Sequence, residues 1–296
     1  MKDAAVPAPH ALSLRTFADY LALTKPRLNV LVVATSAAGF YLGANAPIDP
    51  LTFIATVIGT TLVAGGAAAL NQLYERDTDK VMRRTRTRPL PDGRVSPTEA
   101  LVFGLLLSAA GLILLLVYST WLAALLALAT LVIYLLIYTP LKRRTPVATI
   151  IGAIPGALPP LIGWTAARGV TLGGLSLFLI VFLWQMPHFM AISWLCRDDY
   201  GAARFPMLPV IDPTGRRAGN EAVGYAAALL PVSLIPALIG LSGVVYLAVA
   251  LVLSVALLAL AVAFGRARTD ARARRLFFGS LAYLPLIWTV MILDKQ

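Results

Sequence analysis

Three oxygen-bearing side chains, Asn71, Glu75 and Asp79, stand at i, i+4 and i+8 in the segment NQLYERDTDKVMRRTRTRPLP. On a helix they stack along one face over about 12 Å, while Asp77 points elsewhere. Such a row is costly at the end of an apolar helix. The helix C-terminus already carries partial negative charge, so carboxylates there need a cation nearby. Hard divalent cations take oxygen ligands, and Mg2+ binds one or two carboxylates while keeping positions for water and phosphate oxygens. Directly downstream, Arg76, Arg83, Arg84, Arg86 and Arg88 crowd into thirteen residues. Guanidinium forks pair with phosphate oxygens. Acids that recruit a metal beside arginines that recruit phosphate suit a diphosphate. A solvated loop with internal salt bridges uses the same residue types, so what gives the pattern meaning is its place at the end of an apolar run.

A second constellation lies in WQMPHFMAISWLCRDDYGAARFPMLP, where Asp198 and Asp199 are followed by Arg204. Both acidic ends lead into proline-rich exits, Arg88-Pro89-Leu90-Pro91 and Phe205-Pro206-Met207-Leu208-Pro209, and Asp79 and Asp199 are 120 residues apart. This suggests two related four-helix halves with the acids facing each other across a central cavity. Taken alone, Asp198 and Asp199 also fit a solvated helix end beside Arg197.

The elements that must position these residues are membrane helices. The chain has 296 residues, 59% hydrophobic and only 13% charged, with a mean hydropathy of +0.80. A soluble domain of this length needs far more polar surface. The apolar residues fall in long, non-alternating runs that approach or reach the ~20 residues a transmembrane helix requires. Nine spans are expected: 28–45, 51–74, 100–118, 120–139, 147–166, 174–195, 222–239, 244–264 and 276–293. They form a single domain, 28–293, with long loops at 75–99 and 196–221 and an N-terminal segment, 1–27. If that segment is cytoplasmic, 23 of the 25 basic residues fall on inner segments, leaving only Arg168 and Lys295 outside. The positive-inside rule then puts the N-terminus inside, the C-terminus outside, and both acid clusters at the inner face. The net charge of +11 is thus a topology signal, and nucleic acid is not an expected partner. A single cysteine, Cys196, excludes an intrachain disulfide. The opening MKDAAVPAPHALSL has no apolar core, so it is not read as a secretory leader, and its shortness favours a bacterial plasma (inner) membrane.

Lys25 and Arg27, in TKPR before the first span, can reach a diphosphate from the side, though topology alone also accounts for them. His188 follows Pro187 inside the sixth span. A neutral imidazole there suits haem iron or a propionate, and equally a backbone-bonded core histidine beside a proline kink. Gly39–Gly43 and Gly152–Gly156 have the spacing of close helix packing. Pro155, Pro159 and Pro160 are expected to bend or break the fifth span.

The stretches YLALTKPRLNVLV, NQLYERDTDKVMRRTRTRPLP, YTPLKRRTPVATIIGAIPGALPPLIGW and WQMPHFMAISWLCRDDYGAARFPMLPV resemble the haem-modifying branch of the UbiA superfamily of intramembrane prenyltransferases. The likeness runs from Tyr20 to about Val210. It implies an all-α polytopic fold around a central cavity. Asn71, Glu75 and Asp79 become the first Mg2+–diphosphate motif, and Asp199, with Asp198, the second. Glu75 stands where the superfamily more often has Asp; Cys196 and Tyr200 stand where benzoate-type relatives carry Asp. Lys25, Arg27, Arg83, Arg84, Arg88, Tyr138, Lys142 and Arg143 are then candidates for holding diphosphate, and His188 for contacting haem. The implied reaction joins the farnesyl group of farnesyl diphosphate to a vinyl group of haem b, with addition of water. Haem b is substrate, not cofactor, and a haem A synthase is the expected downstream partner. An aromatic or quinone-precursor acceptor, a transporter, and a non-catalytic haem-handling protein are the competing readings.

Overall fold

The computed structural model describes residues 14–45 and 47–296, with side chains from Thr16 onward. Lys2, His10 and much of the 1–27 segment lie outside these residues. Among the described residues the fold is helical. Short α1 (Leu14–Leu23) precedes α2 (Pro26–Gly43), α3 (Pro50–Asp79), α4 (Pro97–Tyr118) and α5 (Trp121–Val132). The last of these passes through a π-helical turn (Ile133–Tyr138) into α6 (Thr139–Leu141). Then follow α7 (Ala148–Arg168), α8 (Leu172–Leu195), the short α9 (Arg197–Ala202) and α10 (Leu208–Ile211), and finally α11 (Arg216–Leu238), α12 (Val244–Arg266) and α13 (Asp270–Leu293).

Each expected span falls on one of these helices, with the fourth shared by α5, the π turn and α6. Among the described residues, eight helices are long and apolar enough to cross a membrane. α2, on the first expected span, is the ninth; its 18 residues include the polar opening Pro-Arg-Leu-Asn, which sets it outside that group. The chain is a polytopic α-helical membrane protein.

Local signals fix the starts. Asp49 accepts from the Leu51 and Thr52 N–H groups ahead of α3, Ser96 and Glu99 form a reciprocal capping box on α4, Thr120 caps α5, and Thr269 caps α13. Because hydropathy does not see caps, α11 and α13 begin about one to two turns before their apolar runs. α7 runs unbroken through Pro155, Pro159 and Pro160, so they do not break the fifth span, and α11 runs likewise through Pro231 and Pro236. All three α7 prolines are buried against neighbouring helices, which restrain the backbone around the donors they lack.

Small residues set the packing. At α2–α7, a Cβ on Gly163 would overlap the Ser36 carbonyl oxygen, and one on Gly39 that of Pro160. At α3–α4, Gly59 and Gly66 meet Gly111 and Ser108. Gly152 makes room for the Tyr138 ring and Gly156 for Gln185, so the glycine pairs serve close approach as expected. Lys295 on the C-terminal tail reaches back to the carbonyls of Tyr41 and Ala44, tying the end of the chain to the end of α2.

The ten residues of α1 are legible only in three dimensions. Leu23 is fully buried against Ala69, Leu90, Val95 and Ala100, whereas Phe17 and Leu21 on the other side are exposed. A recess of about 920 Å3 opens beside them, between α1, α2, α3 and α4, and is lined almost wholly by apolar side chains. It lies on the outer flank of α2 and α3 and does not include the acid row.

Candidate active site

α3 continues as a helix through Asp79, so Asn71, Glu75 and Asp79 do share a face. They are 2%, 4% and 0% exposed, which removes the solvated-loop alternative for this row. Each has its own cation. Lys25 Nζ donates to Asn71 Oδ1 at 3.0 Å, Lys142 Nζ to Glu75 Oε1 at 3.1 Å, and Arg88 Nη1 to Asp79 Oδ2 at 2.7 Å. A row of buried oxygens is stable only when each is paired in this way.

The three cations come from three places. Lys25 sits in the α1–α2 link with a left-handed backbone (φ 50°), a conformation uncommon for a side-chain-bearing residue, which turns it inward ahead of Pro26. Desolvation, followed by the nearby Arg88 and Lys142, pushes its ammonium down to about 8 against the pull of Glu75 and Asp79. Positive charge is therefore crowded here in a way that an added anion relieves. Lys142 follows α6 and lies over the Phe205 ring at 4.7 Å. Arg88 returns from the loop after α3, whose turn is pinned by Thr85 Oγ1 donating to the Asp79 carbonyl.

The second constellation meets this loop. Met82 packs in a buried cluster with Tyr200 and Phe205, Arg84 lies over the Tyr200 ring at 5.0 Å, and Arg83 Nε stands 3.6 Å from Asp199 Oδ1. The exits of α3 and α8 thus pack together as one surface. Asp199 faces the arginine loop, whereas Asp198 is exposed. Arg27 is likewise exposed on the first turn of α2. Arg143 reaches Thr78 Oγ1 at 3.4 Å and lies near the Tyr74 ring, on the outer side of α3.

Two residues that the motif reading misses complete the row. Tyr134 OH donates to Asn71 Oδ1 at 3.3 Å, and Asn71 Nδ2 donates to Thr139 Oγ1 at 3.2 Å. The Tyr138 ring stacks on Tyr134, with centroids 5.5 Å apart. The signal for this group is Pro140. It cannot donate to the Leu136 carbonyl, and the helix widens into a π turn just before it.

His188, on α8, is buried against α13, stacked between Trp184 and Phe277. Its Nδ1 is 2.9 Å from Ser280 Oγ, and that hydroxyl gives its proton to the Phe277 carbonyl at 2.7 Å. Nδ1 must therefore be the protonated nitrogen, which leaves the lone pair on Nε2.

The row offers an amide oxygen and two carboxylates, all hard donors. Asp79 Oδ1 is buried without a hydrogen-bond partner. That set fits a hard divalent cation. Among the described residues, no three His, Cys, Asp or Glu side chains converge on a single point that holds a metal.

Comparison with known proteins shows the family and the fold. The profile of the UbiA prenyltransferase family matches residues 32–284. Over 287 residues the chain is 46% identical to the protoheme IX farnesyltransferase of Solibacter usitatus (strain Ellin6076), covering 94% of this chain and 98% of that protein. A solved structure of a digeranylgeranylglyceryl phosphate synthase superposes with a TM-score of 0.81 at 17% identity, over 95% of this chain and 99% of the other. The structure of a UbiA homologue from Archaeoglobus fulgidus bound to GPP and Mg2+ does so with a TM-score of 0.68 at 17% identity, over 92% and 99%. The chain belongs to the UbiA prenyltransferase family.

Proposed function

We propose that this enzyme transfers the farnesyl group of farnesyl diphosphate to a vinyl group of haem b, with water completing a hydroxyethylfarnesyl side chain and diphosphate leaving. The observation that carries the reading is the buried row Asn71–Glu75–Asp79 with one cation on each member. Its likeness across nearly the full chain to a protoheme IX farnesyltransferase chooses the acceptor.

In this reading Asn71, Glu75 and Asp79 would hold Mg2+, with Asp199 contributing from α9. Mg2+ supplies positive charge against the departing diphosphate, where negative charge develops in the transition state. The chain's own cations do the rest. Lys25, Lys142 and Arg88 neutralise the row and stand beside the phosphate oxygens it recruits; Arg83 and Arg84 close from the loop; Tyr138 orients Lys142 across its ring face. As the allylic C–O bond breaks, the terminal vinyl carbon attacks farnesyl C1. The cation left on the inner vinyl carbon is captured by water, which then loses a proton. The apolar helices exclude bulk water until that capture.

His188 is assigned to the acceptor, with Nε2 as the nitrogen available to haem iron. The inner-face orientation given by the basic residues puts the diphosphate site on the cytoplasmic side of the cell membrane, and the product passes to a haem A synthase. A transporter reading has less support, because the acids lie at helix ends rather than mid-span. The deciding experiment offers purified enzyme haem b or 4-hydroxybenzoate together with farnesyl diphosphate. A haem product heavier by farnesyl plus water is expected; prenylation of the benzoate alone rejects the acceptor assignment.

A further inference from the structure

At about 100° per residue, Tyr134 and Thr139 would lie about 140° apart on a regular helix and face different neighbours. The π turn between them removes that offset. Tyr134's carbonyl accepts both the Thr139 N–H and, at 2.7 Å, the Thr139 hydroxyl, and both side chains face Asn71. The hydroxyl's one proton is therefore committed, and toward Asn71 the Thr139 oxygen is an acceptor only. It pairs with the NH2 end of the amide. The carbonyl end, Oδ1, is left facing Lys25 and Tyr134, both of which donate to it.

An asparagine amide has two ends of nearly equal size and opposite polarity, and only one of them ligates a cation. We propose that the π turn, acting through Thr139, fixes the Asn71 amide with its oxygen in the acid row, and that Thr139 is a positioning residue for the divalent cation. This rests on the reading above, in which α3 binds the metal. Lys25 supports the same orientation in this structure, but the proposed reaction takes its ammonium to the diphosphate. Thr139 remains when that contact is exchanged.

The test is Mn2+ binding by the purified full-length protein with inorganic diphosphate present, followed by electron paramagnetic resonance. T139V should weaken binding about 10-fold or more, the usual effect of losing a residue that orients a metal ligand. T139S, which keeps the oxygen, should bind nearly as the parent does. In the N71D background both ends of the side chain are oxygens, so adding T139V should cost little more. Equal weakening by T139V in the parent and N71D backgrounds, or failure of T139S to restore binding, overturns the inference. If N71A abolishes binding and T139V leaves it unchanged, the orienting role alone falls. If N71A itself binds Mn2+ normally, the metal reading of α3 falls, and the orienting role with it.

Discussion

Arg88 closes on Oδ2 of Asp79 at 2.7 Å and leaves the other carboxylate oxygen, Oδ1, buried without a hydrogen-bond partner. A buried carboxylate satisfied on one side only is an expensive feature to keep, unless the open oxygen serves a ligand. Asp79 is therefore the member of the row most committed to chemistry. D79N keeps the shape and a hydrogen-bond acceptor for Arg88 but loses the charge. Turnover, read as farnesylated haem by mass analysis, should fall by at least about 100-fold, with the protein still folded. Unchanged turnover would remove Asp79 from the catalytic row.

The Lys142–Glu75 pair separates stability from catalysis. Both side chains are nearly sealed, 11% and 5% exposed, so K142M strands a buried carboxylate. Breaking a buried pair from one side costs about 3–5 kcal/mol, whereas replacing both partners is far milder. K142M should lower the apparent melting temperature in detergent. K142M/E75Q should recover most of that loss while remaining inactive. Recovery of turnover along with stability would remove Glu75 from the metal-binding row.

The sequence shows the row on α3 because 3.6-residue spacing is a one-dimensional signal, and long charge-free runs mark the helices for the same reason. Tyr134 and Thr139 are invisible to that arithmetic, since only the widened turn before Pro140 brings them to Asn71. α1 escapes it too. Ten residues mixing Arg15, Asp19 and Phe17 do not read as a span, and their anchor is the burial of Leu23 with Gln72 Nε2 donating to its carbonyl. Arg27 and Asp198 belong to motifs by position but are exposed, because motif membership does not say which way a side chain faces. The prolines of α7 read as breaks because neighbouring helices are not visible along the chain.

His188 should affect the acceptor and not the donor. With Nδ1–H committed to Ser280, a haem-iron bond at Nε2 predicts a shift of the Soret band when haem b is titrated into the protein. H188A should abolish that shift and raise KM for haem, leaving KM for farnesyl diphosphate near its original value. S280A, which frees the ring to turn, should weaken haem binding about 10-fold. A Soret shift that survives H188A would return His188 to a core role between Trp184 and Phe277.

The α2–α7 contact tests whether the metal row depends on the packing beneath it. Gly163 faces Ser36 so closely that an added Cβ overlaps the carbonyl oxygen, and backbone cannot yield as a flexible side chain does. G163A must push α2 away from α7, at about 1–3 kcal/mol for overpacking. α2 begins at Pro26, next to Lys25, so a tilt of α2 also draws the Lys25 ammonium from Asn71. G163A should therefore lower the melting temperature and raise KM for farnesyl diphosphate together. G201A, on α9 where nothing lies within 4 Å of the new Cβ, should do neither. If G163A destabilises the protein while KM stays fixed, Lys25 is held by its own link and not by the seating of α2.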